Sequence, residues 1–120
     1  MYIGELSQRT GATPRAIRLY ESLNLIQVAR KGNYRVYETA HIEFVQLIKE
    51  AQSLGISLAE LQRLKQGDND LDWSGVNALL IIKKEQSEDS IQKLNLHISR
   101  LERYQTLIAD CVKSNAAHCE

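Results

Sequence analysis

With 120 residues, 43% of them hydrophobic, and 15 Lys/Arg against 15 Asp/Glu, the chain has the length of one small domain plus an appendage and an ordinary globular composition. No apolar run approaches the roughly 20 residues needed to cross a bilayer, and the amino terminus lacks a basic segment followed by an apolar stretch and a cleavage site. A cytoplasmic protein without a membrane partner is therefore expected. Cys111 and Cys119 both lie near the carboxyl end, which excludes the spread-out disulfide framework of small secreted domains and leaves reduced thiols as the expectation.

The formal charge of zero conceals a segregation. Residues 1–65 hold nine Lys/Arg against six Asp/Glu, and residues 66–120 hold six against nine. Between Arg9 and Arg35 the basic residues Arg9, Arg15, Arg18, Arg30, Lys31 and Arg35 face only Glu21. Such a patch suits phosphate binding, but it also suits a merely solvated face, so the elements that carry it must decide.

In chain order, Ile3, Leu6 and Thr10 share one side of a short helix that Gly11 closes. A second helix begins at once: Thr13 is a good N-cap, and Pro14 suits the first helical position, where a missing N–H costs nothing. Over Pro14 to Leu23, Ile17 and Tyr20 turn inward while Arg15, Arg18 and Ser22 share the opposite face. Two short helices separated by Gly11-Ala12-Thr13 make a helix-turn-helix, with the second placed to meet base edges or phosphates. Ile26 to Arg30 and Tyr34 to Tyr37, joined through Lys31-Gly32-Asn33, predict a hairpin wing. Lys31, Asn33, Tyr34 and Arg35 cluster at its tip, where a ribbon too thin to own a core has little other use for them. Tyr20 and Tyr37 each allow two readings, core packing or a hydroxyl reaching DNA, and core packing leads for Tyr20.

A third helix is expected from about Ala40 to Ser53, with Ile42, Val45, Leu47 and Ile48 apolar and Gly55 just past its end. Ser57 and Glu60 form a capping box that starts a fourth, whose Leu58, Leu61 and Leu64 pack inward. Gln66 to Asp72 reads as a boundary loop. From Gly75 to Asp110 neither proline nor internal glycine occurs, and one helix of that length spans roughly 54 Å. Ile91, Leu94, Ile98 and Leu101, continuing through Gln105 to Ile108, follow the 3-4-3 spacing of a coiled-coil seam. Lys83 to Ser90 interrupts that seam, so the preceding half is expected to pack on the globular domain through Leu79, Leu80 and Ile82. A seam this exposed needs a partner, and a second copy of the chain is the simplest. His41 and His97 are expected on helix surfaces.

Ile3-Gly4-Glu5-Leu6, Ala16-Ile17-Arg18-Leu19-Tyr20-Glu21, Asn33-Tyr34-Arg35-Val36-Tyr37 and Leu54-Gly55-Ile56-Ser57-Leu58-Ala59-Glu60, in this order, resemble the mercury-resistance-type (MerR) transcription regulators over essentially the whole chain. The resemblance implies a mainly α fold: a winged helix-turn-helix over residues 1–70, a linker and long antiparallel coiled-coil dimerisation helix over 71–110, and a cysteine-containing effector segment over 111–120. It also implies a homodimer on an inverted-repeat promoter whose two polymerase-recognition elements are spaced too far apart. Effector binding then bends and untwists that DNA, so RNA polymerase is engaged indirectly, through deformation. By the same resemblance Arg18 and Arg35 are backbone-contacting arginines, Tyr34 and Tyr37 are wing tyrosines, and Arg15 stands at a variable, base-choosing position. Leu19 departs from the pattern, since an aromatic usually stands there.

Cys111 and Cys119, with seven residues between them and His118 beside the second, have a spacing that can grip a soft ion, and they resemble the two-thiolate loop of copper-sensing members. Sensors of divalent ions add a cysteine where Trp73 and Ser74 stand, which disfavours a three-thiolate site. Three readings stay open: a Cu(I)-type monovalent ion at Cys111 and Cys119, two cysteines without a role, and a redox switch through a disulfide. An enzyme is disfavoured, for there is no glycine-rich phosphate loop and no nucleophile set among base partners. A small metal carrier leaves Arg15, Arg18 and the wing unused. An architectural DNA-binding protein without an effector is the nearest rival.

Overall fold

In the computed structural model, which describes residues 1–114, the helix-turn-helix forms as the local signals dictate. Helix α1 (Ile3–Thr10) ends on Gly11 at φ 76°, and the Gly11 N–H reaches the Ser7 carbonyl. That left-handed conformation is one a glycine adopts without a Cβ penalty. Thr10 Oγ1, itself bonded to the Leu6 carbonyl, accepts the Ala12 N–H. Helix α2 (Pro14–Ser22) follows, with Thr13 Oγ1 accepting from the Ala16 N–H and Pro14 in the first turn. Asn24, at φ 59°, turns the chain so that the Leu25 N–H bonds the Tyr20 carbonyl and Leu25 drops into the core.

The wing is a two-stranded antiparallel ribbon of β1 (Ala29–Lys31) and β2 (Tyr34–Val36), paired Ala29 to Val36, Arg30 to Arg35 and Lys31 to Tyr34. The strands are shorter than the apolar pattern suggests, because Ile26 and Tyr37 are spent on the core rather than on the ladder. Gly32 takes φ 62° at the first turn position while Asn33 keeps negative φ, the signature of a type II′ hairpin turn. At the base, Tyr37 and Met1 bond each other's backbone in both directions, which fastens the start of the chain to the wing exit.

Helix α3 (Thr39–Ser53) buries His41, Phe44, Val45, Ile48 and Ala51, and α4 (Leu58–Leu64) starts at the expected box, Ser57 Oγ with the Glu60 N–H and Glu60 Oε1 with the Ser57 N–H. His41 corrects the surface expectation: it is buried, its Nδ1 accepts the Glu38 N–H, and Nε2 meets the Gln27 carbonyl at 2.8 Å. Since Nδ1 accepts, the proton sits on Nε2 and is donated to Gln27. The side chain thus caps α3 and ties it to the segment leading into the wing. The boundary loop is also more ordered than its composition suggests. Lys65 and Leu71 form a β-bridge, the Asp72 N–H bonds the Leu64 carbonyl, and Leu71 is buried.

One core serves these elements: Leu6, Ile17, Tyr20, Leu25, Ile26, Tyr37, Phe44, Val45, Ile48, Ile56, Leu61 and Leu71 are all buried. Polar links fasten α3 to the helix-turn-helix. Lys49 Nζ reaches the Thr10 carbonyl, Gln46 the Arg9 carbonyl, and the Tyr20 hydroxyl donates to Gln52.

The chain divides into two units, Met1–Leu79 and a second that begins at Leu80. Helix α5 (Trp73–Lys113) spans 41 residues and buries none of them. Of the residues expected to pack on the core, Leu79 does so, together with Val76, whereas Leu80 and Ile82 stay exposed. The inward stripe therefore begins one turn earlier than expected. Within the second unit Ile91, Leu94, Ile98, Leu101 and Ile108 are each about half exposed or more. No described helix is long and apolar enough to cross a membrane.

Candidate nucleic-acid interface

The face of α2 opposite the core is built by helical spacing alone. With Ile17 and Tyr20 anchored inside, Arg15, Arg18, Leu19 and Ser22 must turn outward, and with Thr13 and Ala16 they line a shallow open groove. Arg15 and Arg18 are exposed and have no ion pair among the described residues, so their guanidinium groups are free to meet phosphate oxygens or the acceptors of a guanine edge. Pro14 supports this face from its N-terminal end and is partly buried. Leu19 places an apolar side chain, 46% exposed, in the middle of it.

The wing brings Lys31, Asn33 and Tyr34 to an exposed tip, with Tyr34 tilted against Tyr2 at 5.7 Å between ring centroids. Arg35 is different. Its Nε lies 2.5 Å from Oε2 of Glu21 on α2, and Arg30 Nη2 approaches Oε1 of the same carboxylate at 3.7 Å. The single acidic residue of the basic stretch is thus what joins recognition helix to wing. Charge counting alone gives Glu21 no role; its place next to the buried Tyr20, at the edge of the inward face of α2, is the signal that it can reach the wing. Arg9 is paired as well, with Glu5 one turn earlier at 3.0 Å.

The two ambiguous tyrosines separate. Tyr20 is core: it is buried and its hydroxyl is engaged by Gln52. Tyr37 is buried too, but its hydroxyl has no hydrogen-bond partner among the described residues. Burial pushes both phenols above their ordinary range, and for Tyr37 the Glu21 carboxylate adds to the rise while Arg35, Arg18 and Arg30 oppose it. Charges of the candidate interface thus act on the Tyr37 phenol.

Elsewhere, a cleft of about 360 Å³ is lined by residues that include Glu38, His41, Lys65 and Asp68. Both ring nitrogens of His41 are engaged by internal bonds, and the Lys65 ammonium donates to the Gly67 carbonyl. Cys111 lies inside α5 rather than after its end, because nothing in Cys111-Val112-Lys113 breaks the helix, and it is not a free thiol. His118 and Cys119 lie outside the described residues. No group of three or more His, Cys, Asp or Glu among the described residues is arranged to hold a metal ion.

A two-helix motif with an exposed basic face, flanked by a wing and resting on a shared core, defines a winged helix-turn-helix transcription regulator that binds DNA. Residues 1–68 match the family model described as MerR HTH family regulatory protein, and the chain belongs to that family. The regulator CueR of Yersinia pestis is 32% identical, covering 99% of this chain and 86% of that protein. A ZntR homolog of Haemophilus influenzae is 30% identical over 84% of this chain and 67% of its own length. Among solved structures, the transcription regulator PbrR691 of Ralstonia metallidurans, in complex with lead(II), shares the fold with a TM-score of 0.68 at 23% identity, covering 89% of this chain and 86% of that one. These relatives are transcriptional regulators, not enzymes.

Proposed function

We propose that the protein acts as a homodimer on an inverted-repeat promoter, which it distorts so that RNA polymerase can use it, and that a thiophilic metal ion at Cys111 and Cys119 sets the state of the dimer. The observation that carries this reading is the apolar seam of α5: Ile91, Leu94, Ile98, Leu101 and Ile108 each lie about half exposed or more. A second α5 covers such a seam by knobs-into-holes packing, and a two-fold dimer then presents two α2 helices to two half-sites. Arg15, Arg18, Lys31, Asn33, Tyr34 and Arg35 supply the contacts of each half, with Arg15 choosing bases and the others holding the backbone.

For the effector, two thiolates suit a soft monovalent ion such as Cu(I) better than a divalent one, which takes more ligands. The relative crystallised with lead(II) is a metal-binding regulator of the same fold, which favours a metal over an organic ligand. His118 would be an accessory donor. The state of Cys111 as other than a free thiol favours a second reading, a redox switch at the same cysteines.

The test is transcription from a promoter fragment selected by the protein, with reduced protein titrated with Cu(I), Ag(I) and Zn(II), and a Cys111→Ser/Cys119→Ser variant beside it. A response to Cu(I) and Ag(I) that the variant loses supports the metal reading. Equal responses in both proteins remove it, and a response to oxidant alone transfers the role to the disulfide.

A further inference from the structure

Arg30 and Arg35 stand directly opposite each other on the two wing strands. Opposed residues of an antiparallel pair project to the same face, and like charges in that position repel. The ribbon has three residues per strand and little else to offset the repulsion. The carboxylate of Glu21, 21% exposed, is placed between the two guanidinium groups, 2.5 Å from Arg35 and 3.7 Å from Arg30. It comes from the last turns of α2, whose other side is fixed by Ile17 and Tyr20 in the core.

We infer that Glu21 is a positioning residue that determines the specificity of DNA binding: its carboxylate separates the cross-strand arginine pair, fixes the wing against the recognition helix, and cancels one of the pair's two positive charges, which lowers indiscriminate attraction to phosphate. The inference rests on the DNA-binding reading of α2 and the wing. Its consequence is opposite in sign for two kinds of DNA. A duplex that matches the binding face gains from a wing held in one place. A random duplex is attracted by charge alone, and to it the Glu21 carboxylate is only repulsive.

The experiment compares wild type, Glu21→Gln, Arg30→Gln and the double variant on two probes: a duplex enriched by the wild-type protein from a random library, and a scrambled duplex of the same composition. Anisotropy titrations across a series of salt concentrations are the readout. Glu21→Gln is expected to bind the scrambled duplex more tightly, with a salt slope steeper by up to about 1 because one net positive charge is released, while affinity for the enriched duplex falls. The ratio of the two affinities should drop by roughly 10-fold or more. Adding Arg30→Gln removes the opposed charge and should recover much of that ratio. Equal weakening on both duplexes with unchanged slopes overturns the inference, as does a double variant no better than Glu21→Gln. If Glu21→Gln does not fold, a double variant that folds supports the clash of opposed arginines, and one that does not overturns it. A wild-type protein that enriches no sequence at all overturns the DNA-binding reading as well, an outcome distinct from any behaviour of the variants.

Discussion

Arg35 reaches from the second wing strand to Glu21 on the recognition helix at 2.5 Å, while Arg18, one turn before Glu21 on that helix, carries no ion pair among the described residues. The two arginines that the family resemblance treats alike are therefore prepared differently. Arg18 offers its whole charge to DNA, and Arg35 offers the guanidinium edge that Glu21 leaves open.

Arg18→Ala is accordingly expected to weaken binding about equally on matched and unmatched duplexes and to flatten the salt slope by about 1, as for the loss of one phosphate contact. Arg15→Ala is expected to relax preference at one base position, at a cost of about 1–3 kcal/mol on the matched duplex only. Salt-dependent anisotropy with matched and point-substituted duplexes checks both. Loss of base preference in Arg18→Ala, or uniform weakening in Arg15→Ala, exchanges the assignments.

Tyr37 buries a hydroxyl that no group among the described residues satisfies. Removing an unpaired buried donor relieves a desolvation cost on the order of 1 kcal/mol, so Tyr37→Phe should leave the free protein as stable as before or slightly more so. If that hydroxyl is kept for a phosphate oxygen, the same variant loses DNA affinity. Chemical denaturation and binding, measured on one preparation, separate the two effects. A variant that is destabilised and binds normally would assign Tyr37 to the core alone.

The raised phenols of Tyr20 and Tyr37 also set a pH dependence. A folded-state value above the ordinary 10.0 means that folding favours the protonated phenol. The contribution is complete below about pH 10 and is lost as pH rises through the higher folded-state values. Stability should therefore fall on the alkaline side, and the Tyr20→Phe/Tyr37→Phe double variant should fall less steeply. Denaturant midpoints from pH 8 to pH 11 report this directly.

His41→Ala removes the acceptor for the Glu38 N–H and the donor to the Gln27 carbonyl at once. The expected loss is about 2 kcal/mol, the sum of a cap and one buried hydrogen bond, read as a lower denaturant midpoint. His41→Asn, which can serve the cap but does not reach Gln27 equally well, should recover part of it. A neutral His41→Ala would show that water replaces both bonds.

His41 also marks how far sequence carries the fold. Thr13 with Pro14, Gly11, and Ser57 with Glu60 act within one helical turn, and their caps are readable because partner and position are neighbours. His41 finds its second partner 14 residues away, Glu21 finds Arg35 at the same separation, and the buried Leu71 is bridged to Lys65, six residues earlier in an irregular loop. Helical spacing placed Arg15 and Arg18 outward, but no local pattern distinguishes a paired arginine from an unpaired one. At the other end, nothing in the amphipathic pattern marks where α5 stops packing on the core, so Leu80 and Ile82 were expected inside and lie outside.

The exposed seam of α5 yields the prediction on which the dimer stands. Leu94 and Ile98 are 60% and 49% exposed, and burying such side chains against a second helix contributes about 1.5–3 kcal/mol each. Leu94→Glu/Ile98→Glu places two pairs of like charges in that interface and should shift the protein to monomer at micromolar concentration, observed by sedimentation equilibrium. Both residues belong to the unit that begins at Leu80, whereas the winged helix-turn-helix keeps its core in Met1–Leu79. The variant should therefore retain its helical circular dichroism over that unit and bind a single half-site as wild type does at equal subunit concentration. On an inverted repeat its affinity should fall by 100-fold or more, because the second half-site no longer binds as part of the same molecule. A variant that remains dimeric would move the interface to another face of α5, with Leu96, Tyr104 and Leu107 as the exposed apolar residues to test next.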